Sequence, residues 1–301
     1  MMRRVFFSLQ DKSLFVQLLF LVIFVFLGMI VFGVVGQGVA HLAYHTMDYD
    51  TASSPAGFLR ITQAFGSVGG FLVPALLFSY FHDGKWFEFL SVNRKPYYIL
   101  ANTVLVMSVM ILPLVALLEQ WNMAIRLPEW MSGVEQWMKQ MEESADCISE
   151  ILIGDATYRT LIVNIIVMAA LPAVCEEFLF RGTLQNLLER KIGSPPWAIW
   201  ITAVIFSAIH LQFYGFIPRM LLGAYLGYLL YWSRSLWLPI LAHFLHNAMS
   251  LLVSFTFLRR GIDMDDMKYT DIHGATTLVV SCAVVVAMGL VFMWRTQKEQ
   301  Q

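Results

Sequence analysis

In the stretch AVCEEFLFRG, residues 173–182, two adjacent glutamates and an arginine follow the apolar run LIVNIIVMAALPAV. Apolar residues continue beyond the charges, so Glu176, Glu177 and Arg181 lie within one long apolar segment rather than at its end. On insertion scales, a charged side chain at the centre of a lone membrane helix costs about 2.5 to 3.5 kcal/mol. The stretch therefore predicts a helix whose charges find partners inside the protein.

Helical spacing gives the two glutamates different roles. Glu177 and Arg181 form an i, i+4 pair with the acid first, the order that favours a salt bridge on one helical face. Glu176 points about 100° away from Glu177 and stays available for chemistry. Pro172 leaves an alternative open, because it removes a backbone hydrogen bond. A helix that ended at Pro172 would put all three charges at a water interface.

Composition indicates the class of protein. Hydrophobic residues make up 58% of the 301 residues and charged residues 14%, and the mean hydropathy is +0.65. An ordinary soluble domain is about 45–50% apolar and about 25% charged. These values predict an all-α integral membrane protein, and the net charge of −1 gives no basic excess for nucleic acid. The three cysteines are scattered and define no disulfide framework.

Eight hydrophobic segments approach the roughly 20 residues that cross a bilayer as a helix, which predicts a polytopic helix bundle. They are residues 14–36, 61–81, 97–118, 158–188, 197–213, 217–232, 235–258 and 275–294. The positive charges before the first segment resemble a secretory signal. Its apolar run, however, is longer than the about 7–15 residues of a signal, so a retained span is expected. The lysine and arginine distribution favours cytoplasmic termini, although Arg259 and Arg260 oppose it.

The longest polar segment, residues 119–157, contains apolar side chains at steps of three and four. They are Trp130, Val134, Trp137, Met138 and Met141. This period is typical of an amphipathic helix that lies at the lipid interface or against the bundle. A lid that gates access of substrate is the alternative.

Two further segments carry polar side chains within apolar surroundings. His210 follows Phe206 by four residues in AVIFSAIHLQF, and His243 precedes Asn247 by four residues in LPILAHFLHNAMS, with His246 near the same face. A lone histidine in such a segment is more often a packed core residue. Intramembrane polar groups nevertheless tend to face the bundle interior, and convergence of these residues with Glu176 would satisfy all of them together.

The three motifs E-E-x-x-x-R, F-x-x-x-H and H-x-x-x-N, in this order on successive hydrophobic segments, resemble those of the CAAX protease and bacteriocin-processing (CPBP, or Abi) family of intramembrane proteases. The resemblance covers roughly residues 158–258, whereas residues 1–157 and 259–301 are expected to supply additional spans and loops. It implies that Glu176 and His210 activate a water molecule and that His243 and Asn247 donate hydrogen bonds to the oxyanion. Glu177, Arg181 and Phe206 would be supporting residues.

The resemblance implies either a glutamate-based or a metal-dependent mechanism. In the second case Glu176, His210 and His243 would be the ligands of a divalent metal such as zinc, whereas the first needs no cofactor. The sequence contains neither H-E-x-x-H nor G-x-S-x-G. The expected function is an intramembrane endopeptidase in a bacterial-type plasma membrane, in contact with membrane lipid, acting on a membrane-associated or prenylated peptide.

Two other functions fit the same residues. A catalytically silent scaffold or bacteriocin-immunity protein of the same fold would use the motif residues for packing alone. A proton-coupled transporter would also bury Glu, His and Arg. A transporter is expected to have inverted repeats and broken helices in corresponding halves of the chain, whereas the polar motifs here cluster in one half.

Overall fold

The computed structural model describes residues 8–44, 55–96, 98–154, 156–262 and 275–300, which form helices and their connections and contain no strand. This confirms the predicted all-α polytopic bundle. The helices are α1 (Leu14–Tyr44), α2 (Ala56–Asp83), α3 (Trp86–Phe89), α4 (Tyr98–Met110), α5 (Leu112–Met123), α6 (Ser132–Ile153), α7 (Tyr158–Ile192), α8 (Pro195–Ala208), α9 (Phe216–Ser233), α10 (Trp237–Arg259) and α11 (Ala275–Gln300).

The eight predicted spans correspond to helices of unequal length. Five helices, α1, α2, α7, α9 and α10, are long and apolar enough to cross a membrane. Helices α4 and α5 make a sixth span if the pair, bent by 43° between Met110 and Leu112, is counted as one. Helix α8 is a shorter apolar helix that ends at Ala208, and Cys282–Trp294 is a shorter apolar stretch within α11. The described residues thus contain five or six full-length spans, and the remaining predicted segments 197–213 and 275–294 correspond to α8 and α11.

The described N-terminal helices and the motif-bearing helices share one hydrophobic core. Leu9, Phe78 and Phe89 pack in the same cluster as Leu184 and Leu230. The Leu9 N–H donates to the Phe81 carbonyl, so the chain just before α1 is fixed to the end of α2. Burial of such apolar side chains is worth roughly 1.5–3 kcal/mol each. The motif-bearing helices are therefore packed against the N-terminal ones.

The polar segment between α5 and α7 forms the predicted amphipathic helix. Helix α6 covers 22 residues, and its Trp137 is 44% exposed, while Trp130 just before it is 82% exposed. Indole rings prefer the boundary between lipid and water, so these exposed rings fit a helix at the membrane interface. The predicted orientation of the termini depends in part on the positive charges of residues 3 and 4, which lie outside the described residues.

Helices α1 and α2 cross at glycines that allow their backbones to touch. Only one narrow stripe of α1 is buried, and Gly28 lies within it. A methyl group on Gly28 would overlap the carbonyl oxygen of Gly69, whereas one on Gly33 would meet no atom within 4 Å. Without a hydrophobic driving force in lipid, close packing at small residues is what joins membrane helices.

Gly28→Ala should therefore destabilise the protein, and Gly33→Ala on the same helix should not. Overpacking costs about 1–3 kcal/mol, and the obstacle at Gly28 is backbone that cannot rotate away. Thermal unfolding in detergent would measure both variants. Equal melting temperatures for the two would show that α1 does not pack on α2 through Gly28.

Candidate active site

Helix α7 continues through Pro172 and carries the acidic motif into the interior. A π-helical segment, Ile165–Ala170, ends two residues before the proline, and a second one, Phe178–Gln185, follows the two glutamates. Such wider turns are rare in proteins as a whole, and those that occur are frequently found at functional sites. The alternative in which the helix ends at Pro172 is therefore wrong, and the charges lie in the middle of the 35-residue helix Tyr158–Ile192.

A buried carboxylate links the first motif to the third. Oε1 of Glu177 accepts a hydrogen bond from Nη1 of Arg181 at 2.6 Å and another from Nδ1 of His243 at 2.9 Å. Glu177 and Arg181 are fully buried, and His243 is 4% exposed. The predicted ion pair is confirmed, but the bond from His243 was not predicted. Glu177 thus fixes a residue of α10 as well as one of its own helix.

Arg181 connects four helices. Its Nη2 donates to the carbonyl of Gly223 on α9 at 2.9 Å, and its guanidinium carbon lies 4.5 Å from the centre of the Phe206 ring on α8. The ion pair with Glu177 attaches it to α7, and through the shared oxygen to His243 on α10. The cation is therefore compensated by an anion, a carbonyl dipole and an aromatic face.

A pair of glycines on α9 allows side chains of α7 and α8 to lie close to its backbone. Gly223 and Gly227 follow the G-x-x-x-G spacing of closely packed membrane helices. The Gly227 carbonyl accepts a hydrogen bond from Nε2 of the fully buried Gln185, one turn beyond Arg181. A methyl group at Gly227 would lie 2.8 Å from the Ile199 side chain of α8. The glycine spacing indicates this close contact in the sequence, whereas Gln185 belongs to none of the three motifs.

Glu176, His210, His243 and Asn247 line one cavity of about 450 Å³. Glu176 is 9% exposed, and its Oε2 lies 3.9 Å from Nε2 of His243. The volume falls in the range of about 300–1,000 Å³ that is typical of ligand pockets. These four side chains thus bring a carboxylate, two imidazoles and an amide to one cavity. His246 lines it too.

His210 does not lie within a helix as predicted. Helix α8 ends at Ala208, and His210 occupies the turn that follows. Its Nδ1 contacts the carbonyl of Phe206 at 2.7 Å, and because a carbonyl can only accept, Nδ1 carries the proton. In the neutral ring, Nε2 is then free to accept a proton. The helix end was not predicted, because apolar residues continue through it. Leu211 adopts a left-handed φ of 56° there, which is uncommon for a leucine.

The hydrogen bond to Glu177 also determines the tautomer of neutral His243. Its Nδ1 faces a carboxylate oxygen that bonds Arg181, so the proton lies on Nδ1 and the lone pair on Nε2. Nε2 can donate to an oxyanion only when the ring carries both protons. The charge of that form would lie between Glu177 and Glu176.

The residues named for the metal alternative do not form a ligand set. Within the described part of the chain, no three His, Cys, Asp or Glu side chains group closely enough to hold a metal ion. Nδ1 of His210 and Nδ1 of His243 are both engaged by protein oxygens, which leaves Nε2 as the free nitrogen of each ring.

Comparisons with known proteins concern the segment that carries this site. Residues 158–249 match the family described as "Type II CAAX prenyl endopeptidase Rce1-like". The matched segment carries the three motifs, which confirms the predicted resemblance to the CAAX protease and bacteriocin-processing family.

A protein of Bacillus subtilis (strain 168), "Uncharacterized protein YpbD", is 32% identical to this chain over 102 residues. The similar region covers 32% of this chain and 49% of YpbD, so the chain spans about half the length of that curated relative. No solved structure matches the chain.

Glu177→Gln should lower the melting temperature more than Glu176→Gln. Removing one member of a buried ion pair costs about 3–5 kcal/mol, because the other charge is stranded, and Arg181 is fully buried. Neutralising Glu176, whose Oε2 lies 3.9 Å from Nε2 of His243, strands no buried arginine and relieves a desolvation cost instead. Thermal unfolding of both purified variants in detergent is the measurement. A Glu176→Gln protein that melts well below Glu177→Gln would reverse the two assignments.

Proposed function

We propose that the protein is an intramembrane endopeptidase that hydrolyses a peptide bond of a membrane-associated or lipidated peptide. The observation that carries the proposal is the convergence of Glu176, His210, His243 and Asn247 on one cavity between apolar helices. The family of residues 158–249 supports the same activity. Packing alone gives no reason for a partly accessible carboxylate beside two imidazoles.

In the proposed mechanism, Glu176 is the general base. A carboxylate withdrawn from bulk water is a stronger base, and it removes a proton from a water molecule in the cavity. The resulting hydroxide adds to the carbonyl carbon of the scissile bond. His210 orients the water through its free Nε2 and takes part in transferring the proton from Glu176 to the leaving group. The proton finally moves to the leaving amine as the C–N bond breaks.

The oxyanion of the tetrahedral intermediate is stabilised by His243 and Asn247. Nε2–H of a doubly protonated His243 and the Asn247 amide are the proposed donors, and each donor of this kind is worth about 3 to 4 kcal/mol. Glu177 has a positioning role, because its Oε1 holds Nδ1 of His243 and leaves Nε2 toward Glu176. The acid that stabilises Arg181 thereby also orients the oxyanion donor.

Alanine variants should separate these roles. Glu176→Ala and His210→Ala should abolish cleavage, His243→Ala should nearly do so, and Asn247→Ala should retain a fraction, since loss of one oxyanion donor costs about 10²- to 10³-fold. The measurement is cleavage of a prenylated peptide by the purified chain in proteoliposomes. His246→Ala is the matched control, because His246 lines the cavity without a proposed chemical role. If its kcat fell as far as that of His243→Ala, the assignment of the third motif would be wrong.

Chelation should leave cleavage unchanged. The proposed steps use only protein groups, and the described His and Glu side chains form no three-ligand set. The same proteoliposomes would be assayed before and after dialysis against a strong chelator. Loss of activity that zinc restores would replace the glutamate-based mechanism by a metal-dependent one, without affecting the proposed protease function.

A further inference from the structure

The segment that carries His210 is a non-helical connection between two helices. Residues 209–215, here called the His210 loop, join α8 to α9 and contain a 3₁₀ turn at Phe213–Gly215. Leu211 has a φ of 56°, a conformation that costs a non-glycine residue on the order of 1 kcal/mol and persists only where surrounding contacts enforce it. The loop must therefore be held from outside.

Asn122, near the end of α5, makes three hydrogen bonds to this part of the chain. Its Nδ2 donates to the carbonyls of Phe213 at 2.8 Å and Tyr214 at 2.6 Å. Its Oδ1 accepts from the N–H of Ile217 at 3.2 Å, in the first turn of α9. Asn122 is 5% exposed. One buried amide thus satisfies two loop carbonyls and one N–H that has no partner within its own helix.

Side chains of α6 and α9 also contact the His210 loop. Oε2 of Glu142 on α6 accepts from the Tyr214 N–H at 3.3 Å, and the Trp137 and Phe213 rings lie 5.1 Å apart. Arg219 donates to the carbonyl and the side-chain oxygen of Gln212 at 3.1 and 3.0 Å. Burial raises the pKa of Glu142, against a smaller lowering by its bond from Tyr214. Asn122 alone among these groups bonds both the loop and the start of α9.

We propose that Asn122 is a positioning residue for His210, which it holds at the cavity by fixing the His210 loop and the start of α9 to α5. The inference rests on the proposed function, in which His210 acts on the attacking water. Asn122 lies outside the segment 158–249 that matches the family. The N-terminal part of the chain would then contribute to the geometry of the active site as well as to the bundle.

Asn122→Asp tests this with little change in shape. The substitution keeps an oxygen for the Ile217 N–H but replaces both donors to Phe213 and Tyr214 by an acceptor. We expect kcat to fall about 10²-fold, the effect of a misplacement of about 1 Å in a catalytic group, with KM within a few-fold of the wild-type value. Amide hydrogen exchange should accelerate over residues 209–217 and not over α10. Asn122→Gln, which retains donors and acceptor, should recover part of kcat.

Asn164→Leu is the matched control. Asn164 is 3% exposed, donates to the Leu152 carbonyl at 2.7 Å and accepts from Arg60 at 2.9 Å, but does not line the cavity. Its loss should lower the melting temperature and leave kcat intact. The proposal is overturned if Asn122→Asp keeps wild-type kcat, if exchange in the loop is unchanged, or if Asn164→Leu loses kcat equally.

Failure of the proposed function would look different. A wild-type chain that cleaves no peptide would remove the protease assignment. The exchange comparison between wild type and Asn122→Asp would still decide whether Asn122 holds the His210 loop, because it requires no substrate. Unchanged exchange overturns the positioning role in either case.

Discussion

The bundle depends on a single buried cation that four helices share. Arg181 is fully buried in a membrane protein, where an uncompensated charge is costly. Its partners come from its own helix and from its neighbours: the Glu177 carboxylate, the Gly223 carbonyl and the Phe206 ring. A rotation of α7 would separate the guanidinium from the Gly223 carbonyl and the Phe206 ring, so the position of the helices and the compensation of the charge form one constraint.

The same constraint orients the chemistry. Because Oε1 of Glu177 bonds both Arg181 and His243, the ring of His243 is fixed by the group that neutralises the cation. A site built only for stability would need no histidine here, since the arginine already satisfies that oxygen. The extra bond positions the His243 ring. Structural and catalytic parts of the site therefore overlap in one carboxylate.

The sequence predicts the local part of this arrangement and not the tertiary part. The i, i+4 spacing predicts the Glu177–Arg181 pair, since both residues belong to one helix. The bond from Glu177 to His243 depends on how α7 and α10 are rotated relative to each other, which spacing within either helix does not encode. The turn at His210 was missed because apolar residues continue through the helix end. Asn122 has no motif, since its role comes only from the loop it meets.

The two adjacent glutamates explain how such a site tolerates its charges. A step of one residue turns the side chain by about 100°, which is enough to bury Glu177 completely against Arg181 and to leave Glu176 9% exposed at the cavity. Had the acids been four residues apart, both would face one side, and both would be neutralised or both would be solvated. Adjacency instead separates a carboxylate that bonds Arg181 directly, which stabilises, from one whose Oε2 lies 3.9 Å from Nε2 of His243, which can act as a base. The charged stretch in the middle of an apolar helix is thus consistent with both stability and catalysis because its two acids face different surroundings.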